Sequence, residues 1–336
     1  MRYRPATAAD LDQVTALIVP DPASPLTADG YRRRLGTGEY RPEWTWVAEA
    51  SGDVRAAAIW WGRADDTRPD VLDSLLAAPG LPRDQRAEVA GGLLARAHAT
   101  FRRDSSRTDP AYHMFLPSDW RSRRDVTAAL SWRWQAALAA GLTEELERLR
   151  FVCYPGHGVP KPQPGQPQIG KTKPGHFQPG RLMFRREPND EVFAELFRRV
   201  LTGTLDATTR NTAAVAGAAA SARADVVFYR DQMRGDRGWW LVASTPDGEP
   251  VGFGVPSRNS DVAVVGYIGV LPEHRGRGYI DDILAETTRV LVTEAGAGVI
   301  HADTDLANRP MAAAFERAGY VNTSRRVVLS APIIGS

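Results

Sequence analysis

Val262-Ala263-Val264-Val265-Gly266-Tyr267-Ile268-Gly269-Val270 leads, through Leu271-Pro272, into Glu273-His274-Arg275-Gly276-Arg277-Gly278-Tyr279-Ile280. The opening run is rich in β-branched residues with one aromatic, types that suit a pleated, buried strand. Pro272 has no N–H for a ladder and ends it. Beyond the glycines, Ile280, Ile283, Leu284, Thr287 and Leu291 recur at helical spacing, with Gly296 as a stop. The order is strand, glycine-rich basic turn, helix. The first amides of a helix lack internal partners and carry the positive end of its dipole. Glycines let a backbone approach an anion closely, so successive N–H groups can cradle a phosphate. Arg275 and Arg277 add charge and directed donors. A solvent-exposed turn is the plainer reading of Arg-Gly-Arg-Gly alone; its place between this strand and this helix favours the anion site.

Downstream, Val299-Ile300-His301-Ala302-Asp303-Thr304 predicts a second strand, running through Asp305-Leu306-Ala307-Asn308 into a helix over Pro310 to Ala318. Pro310 suits a first helical turn and Asn308 a helix cap. Asp303 and Asp305 alternate onto one face of the strand. They bind an acceptor cation, relay a proton through water, or simply cap the helix that follows.

These residues together resemble the GNAT superfamily of acetyltransferases, over residues 181–330. Arg275, Gly276, Arg277, Gly278, Tyr279 and Ile280 stand where the family's pyrophosphate-binding turn stands, with matches at Arg275 and Gly278 and a departure at Ile280, where a small residue is usual. Asn308, Phe315, Gly319 and Tyr320 fit the family's next element. The resemblance implies acetyl-coenzyme A as co-substrate, lying along Ile268, Gly269 and Val270, the turn, Asn308 and Phe315. It also implies direct transfer to an amine, with a free amide near Val270 or Leu271 for the oxyanion. The family often takes its acid from a tyrosine where this chain has Phe315, which cannot donate. Tyr267 is one substitute, unless it is merely a core aromatic, with Asp303 and Asp305 as the other catalytic candidates.

The rest of the chain repeats this plan in outline. Arg4-Pro5-Ala6-Thr7-Ala8-Ala9-Asp10 and Arg185-Arg186-Glu187-Pro188-Asn189-Asp190 each precede an amphipathic helix. Each half then carries a hairpin signature, turning at Ser51-Gly52-Asp53 and at Pro246-Asp247-Gly248. Each ends a helix on Ala-Gly plus an apolar residue, at Leu142 and Tyr320. Between them, residues 155–180 hold seven prolines and six glycines and little to bury, which predicts an exposed linker. The fold class expected is α/β: two tandem GNAT-like domains, each a mixed central sheet flanked by helices. They are a degenerate domain over 1–154, the linker over 155–180, and the acetyl-CoA-binding domain over 181–330. Between Gly62 and Asp119 there is no Arg-x-x-Gly-x-Gly, and no asparagine stands in the place of Asn308.

Composition sets the outer limits. The net charge of +2 and the absence of a basic tract argue against a nucleic-acid partner. No uncharged apolar stretch approaches the ~20 residues of a membrane helix. Cys153, the single cysteine, rules out an internal disulfide, and the cytoplasm is the expected location. The histidines are scattered without metal-ligand spacing, so no metal is expected. The leading expectation is an N-acetyltransferase acting on a small-molecule amine. A coenzyme A-binding or scaffold protein without turnover, and an acyltransferase using a longer acyl-CoA, stay open beside it. Neither the acceptor nor the oligomeric state is written in the sequence.

Overall fold

The computed structural model describes residues 1–103, 109–156 and 181–332. The expected linker lies outside them from residue 157 onward. Among the described residues the elements run β1 (Arg2–Pro5), α1 (Leu11–Ala16), α2 (Ala28–Thr37), β2 (Thr45–Ala50), β3 (Asp53–Trp61), β4 (Val71–Ala77), α3 (Arg83–Arg103), β5 (Ala111–Pro117), α4 (Arg124–Ala139) and β6 (Glu144–Cys153). They continue with β7 (Met183–Arg186), α5 (Asp190–Val200), α6 (Ala207–Ala216), α7 (Ala218–Val227), β8 (Leu241–Ser244), β9 (Pro250–Arg258), β10 (Ala263–Val270), α8 (Tyr279–Thr293), β11 (Ile300–Asp305), α9 (Arg309–Arg317) and β12 (Val321–Ser330).

The chain divides into two units. The first comprises Met1–Glu147 together with the chain from Ser324. Its sheet has the order β1-β2-β3-β4-β5-β12, with β4 and β5 parallel and the other pairs antiparallel. The β2–β3 hairpin turns at Ser51 and Gly52, both at positive φ (55° and 90°). That is the backbone a two-residue turn needs to match the twist of its strands. Helices α3 and α4 cover one face through Leu93, Leu94, Leu130 and Trp132. The other face is closed by Val14, Leu17 and Tyr31 of the α1–α2 region.

The second unit is Arg148–Thr323. Its sheet order is β6-β11-β10-β9-β8-β7, with only β10 and β11 parallel. Residues 148–153, which precede the expected linker in sequence, pair with β11 inside this unit. The α5 and α7 face is aromatic. Phe193, Phe197 and Phe253 are fully buried, with Phe197 and Phe253 ring centroids 4.8 Å apart. The opposite face packs Leu284 and Leu291 of α8 and Phe315 of α9 against Phe151.

Two irregularities in β10 position the site. Its register against β9 shifts between Val264 and Tyr267. Gly266 sits there at φ +45°, where an added Cβ would lie 2.2 Å from the Val255 carbonyl oxygen, so only glycine makes this bulge. In addition, β10 pairs with β11 only at Ala263–Ile300 and Val264–His301, although β10 runs on to Val270 and β11 to Asp305. The two strands therefore part and open a wedge.

Candidate active site

One wall of the wedge is the unpaired edge of β10. The Leu271 amide donates to Val251 O at 2.8 Å, so Leu271 points to β9. Antiparallel alternation turns Gly269 and Tyr267 the same way and leaves the backbone groups of Ile268 and Val270 facing the wedge. Of the two amides expected to be free, Leu271 is thus taken and Val270 is the one on the open edge.

At the end of this edge lies the basic turn. Gly276 and Gly278 adopt the left-handed region, at φ 77° and 74°. Among the described residues, the amides of Gly276, Arg277, Gly278, Tyr279 and Ile280 donate no backbone hydrogen bond. Among the described residues, a Cβ on Gly276 would meet nothing within 4 Å, and one on Gly278 only the Arg181 guanidinium nitrogens at 3.7 and 3.8 Å. Ile280 is half-buried in the first turn of α8.

Arg275 has a different part from the one its charge suggests. Its guanidinium donates to Val270 O (3.1 Å), Thr202 O (2.6 Å) and Val200 O (2.8 Å). Val200 and Thr202 end α5, where carbonyls lack helical partners and a cation is favoured. The side chain fastens α5, β10 and the turn together; what the turn offers an anion is its backbone. Arg181, which the sequence reading passed over, binds the outside of the same turn. It donates to Arg277 O (3.1 Å), Gly278 O (3.2 Å) and Asp282 (2.5 Å).

The α5–α7 side of the wedge is lined by titratable groups. The Tyr267 ring stacks on Phe253 and lies 4.8 Å from Phe197, and burial holds its hydroxyl well above the usual tyrosine range. Tyr229, in a π-helical turn that follows α7, donates to Gly266 O at the bulge (3.1 Å). Asp305 is buried; its carboxylate accepts the Ala207 amide (2.6 Å) and lies 3.3 Å from Arg148 Nε. Burial raises its pKa nonetheless. Arg148 also reaches Asp206 (3.2 Å). Asp303 is held in two bonds by Arg150, at 2.9 and 3.0 Å. The charges of both expected acceptor-binding carboxylates are therefore met by arginines directly opposite on β6. The alternation Arg148-Leu149-Arg150 facing Asp303-Thr304-Asp305 is a sequence signal that pairs them once the strands are known to be neighbours. Asp225 on α7 is the carboxylate without such a partner: among the described residues no hydrogen bond or ion pair reaches it. Burial, then the charge of Asp206, pushes its pKa up to about 6.

Two further expectations resolve differently. Phe315 is 2% exposed and wedged between Phe151 and Tyr320, with centroids at 5.2 and 5.4 Å. It packs in the core, because α9 turns its apolar face to the sheet. Asn308 caps α9, its Oδ1 accepting the Met311 amide at 3.4 Å.

The first unit has the same parting of strands but a different filling. There β4 and β5 pair only at Val71–Ala111 and Leu72–Tyr112. Arg133 of α4, 3% exposed, donates from Nε to Leu75 O (3.0 Å) and from its terminal nitrogen to Asp21 (2.7 Å). A cavity of about 170 Å³ bounded by Leu17, Leu76, Trp132 and Arg133 remains beside it. The turn after β4 contains Pro79 and Pro82, which have no amide to give. Its Pro79 and Leu81 carbonyls are taken by Arg86, each at 2.6 Å.

Comparison with known proteins adds the following. The model of the Acetyltransferase (GNAT) family matches residues 208–320, which hold the wedge and the turn. No curated protein sequence matches the chain. Among solved structures, a GCN5-related N-acetyltransferase from Sphaerobacter thermophilus is similar at a TM-score of 0.54 and 14% identity, over 100% of this chain and 98% of that one. A tandem GNAT protein from the clavulanic acid biosynthesis pathway is similar at 0.50 and 17%, over 98% of each chain. The glucosamine N-acetyltransferase region of a fungal multi-domain GH3 β-N-acetylglucosaminidase is similar at 0.56 and 14%, over 97% of this chain and 38% of that one. Identities this low carry the fold, and the fold shared over nearly the whole chain is the tandem one. Among the described residues no helix is long and apolar enough to cross a membrane, and no cluster of metal-ligating side chains occurs. Residues 208–320 thus match the Acetyltransferase (GNAT) family model, within a fold similar to that of a tandem GNAT protein.

Proposed function

We propose that the second unit transfers an acetyl group from acetyl-coenzyme A to the amine of a small molecule, by direct attack. The observation that supports this most is the junction of an open strand edge, Ile268 to Val270, with a turn whose five successive amides, Gly276 to Ile280, have no backbone partner among the described residues. The amides hold the pyrophosphate, helped by the α8 dipole. The thioester lies along the β10 edge, where the Val270 amide faces the carbonyl oxygen and stabilises its developing charge. The amine enters from the α6–α7 side, and its nitrogen bonds to the carbonyl carbon as the carbon–sulfur bond breaks. Tyr267, kept protonated by burial, is the proton donor to the departing thiolate. Asp303 and Asp305 shape the acceptor wall through Arg150 and Arg148. The first unit, whose slot holds Arg133 and whose turn has lost two amides to proline, takes no coenzyme.

The test is thiol release from acetyl-coenzyme A across an amine panel, with the product identified by mass. One thiol per acetylated amine is expected, and none in Gly278→Val, whose side chain blocks the cradle and disfavours the left-handed backbone. Coenzyme binding without thiol release for any amine would instead support a binding protein without turnover.

A further inference from the structure

We propose that Asp225 is the group that takes the proton from the acceptor, and that the acceptor is a singly charged amine carried on an apolar body. The inference rests on the acetyl-transfer reading above. Asp225 and Tyr229 are four residues apart along one helical stretch, and therefore share a face. The Tyr229 hydroxyl is anchored on the bulge carbonyl of Gly266, which sets that face against the wedge. Neighbouring Ala222 and Val226 are buried in the aromatic core, so Asp225 sits at the edge where the core meets the wedge. It lies within electrostatic reach of Asp206, Tyr229 and Tyr267.

The charges around it decide what enters. Asp206 and Asp305 are met by Arg148, with Arg210 also near Asp305, and among the described residues no cation is paired with Asp225, which leaves its negative charge for one ammonium. The rim is apolar. Leu205, next to Asp206, and Leu306, next to Asp305, are each 44% exposed, and Phe228, packed edge-on against Tyr229, is 40% exposed. A polyamine would bring surplus charge and a sugar amine would strand hydroxyls on this rim; an alkyl or aralkyl amine matches both features.

The step balances as follows. The ammonium gives one proton to the Asp225 carboxylate. The free amine forms the carbon–nitrogen bond, the thioester carbon–sulfur bond breaks, Tyr267 gives its proton to the thiolate, and the nitrogen's second proton passes through water back to the Tyr267 oxygen. Asp225 then returns its proton to solvent. Because the carboxylate must be ionised, its titration near pH 6 predicts an acid limb in kcat/KM there. The titratable groups within its electrostatic reach are Asp206 before α6, Tyr229, and Tyr267 on β10; around Asp206 in turn stand Asp305 on β11 and Arg148 on β6, and Arg210 of α6 lies near Asp305.

The experiment uses the full chain with acetyl-coenzyme A and three probes: phenethylamine, glucosamine and spermidine. Phenethylamine is expected to exceed both others at least tenfold in kcat/KM. Asp225→Asn should lower kcat/KM by about 10²–10⁴-fold at pH 7.5 and remove the acid limb, and Asp225→Glu should restore part of the rate. Coenzyme affinity and melting temperature should stay within twofold and a few degrees, which separates a proton role from misfolding. Wild-type rates in Asp225→Asn overturn the proton role. Glucosamine or spermidine as the better acceptor overturns the substrate class while acetyl transfer stands. No thiol release with any amine overturns the transfer reading and this inference with it.

Discussion

Replacing Arg275 by lysine separates two accounts of the turn proposed to hold coenzyme A. Lysine keeps the positive charge but is a point donor, whereas the arginine fork spans three carbonyls at once, Val270 O, Thr202 O and Val200 O. Each bond is worth about 0.5–1 kcal/mol here, the lower end of the usual range, because the side chain is largely exposed. Arg275→Ala should then lose about 1.5–3 kcal/mol of stability and Arg275→Lys about 1–2 kcal/mol, since a single ammonium recovers one bond of the three. At about 2–4 °C per kcal/mol, the alanine variant should melt roughly 3–12 °C lower, with lysine close behind. The loss extends to the segment after α5, because the Arg275 terminal nitrogen also lies 3.2 Å from where a Cβ of Gly203 would stand, on the way to Asp206. Thermal unfolding of the three proteins, followed by calorimetric titration with coenzyme A, gives both numbers. The reasoning is refuted if Arg275→Lys keeps wild-type melting and affinity while Arg275→Ala loses affinity. Charge, and not the fork, would then be what the turn requires.

Other consequences are smaller in scope. Tyr267→Phe should lower kcat by about 10²–10⁴-fold with a modest change in KM, measured with any acceptor that supports turnover; an unchanged kcat removes it as the acid. Phe253→Ala should destabilise the chain by about 3–5 kcal/mol in urea unfolding, since the ring is fully buried among Phe193, Phe197 and Tyr267. Asp225 titrates near 6 in the folded chain against an ordinary 3.8, so the native state holds a proton that the unfolded state has released between those values. Stability should therefore fall as pH rises from about 4 to about 6. Asp225→Asn should stabilise the chain by about 1–2 kcal/mol at pH 8, allowing for partial exposure, and by nearly nothing at pH 3.5.

The strand, turn and helix of residues 262–291 were legible because each has a local cause: β-branched residues, a proline stop, glycines at positive φ and an apolar 3.6-residue repeat. The hairpin at Ser51-Gly52 and the Asn308 cap were legible for the same reason. What escaped was set by partners far away in sequence. Nothing near Arg275 says that its guanidinium will be consumed by the end of α5. Nothing near Asp303 and Asp305 names Arg150 and Arg148, because β6 reaches them only through the sheet. An apolar stripe does not say which of its aromatics meets a ligand, which is why Phe315 was expected at the coenzyme and stands in the core. Asp225, in an alanine-rich helix without a motif, gains its character only from the burial and the neighbours that the fold supplies.

The central claim is that coenzyme binding belongs to the turn of the second unit alone. Calorimetric titration of the full chain with coenzyme A, beside Gly278→Val, tests it most directly. The account predicts one site per chain, abolished by the substitution. Two sites per chain, or binding that survives in Gly278→Val, would contradict it.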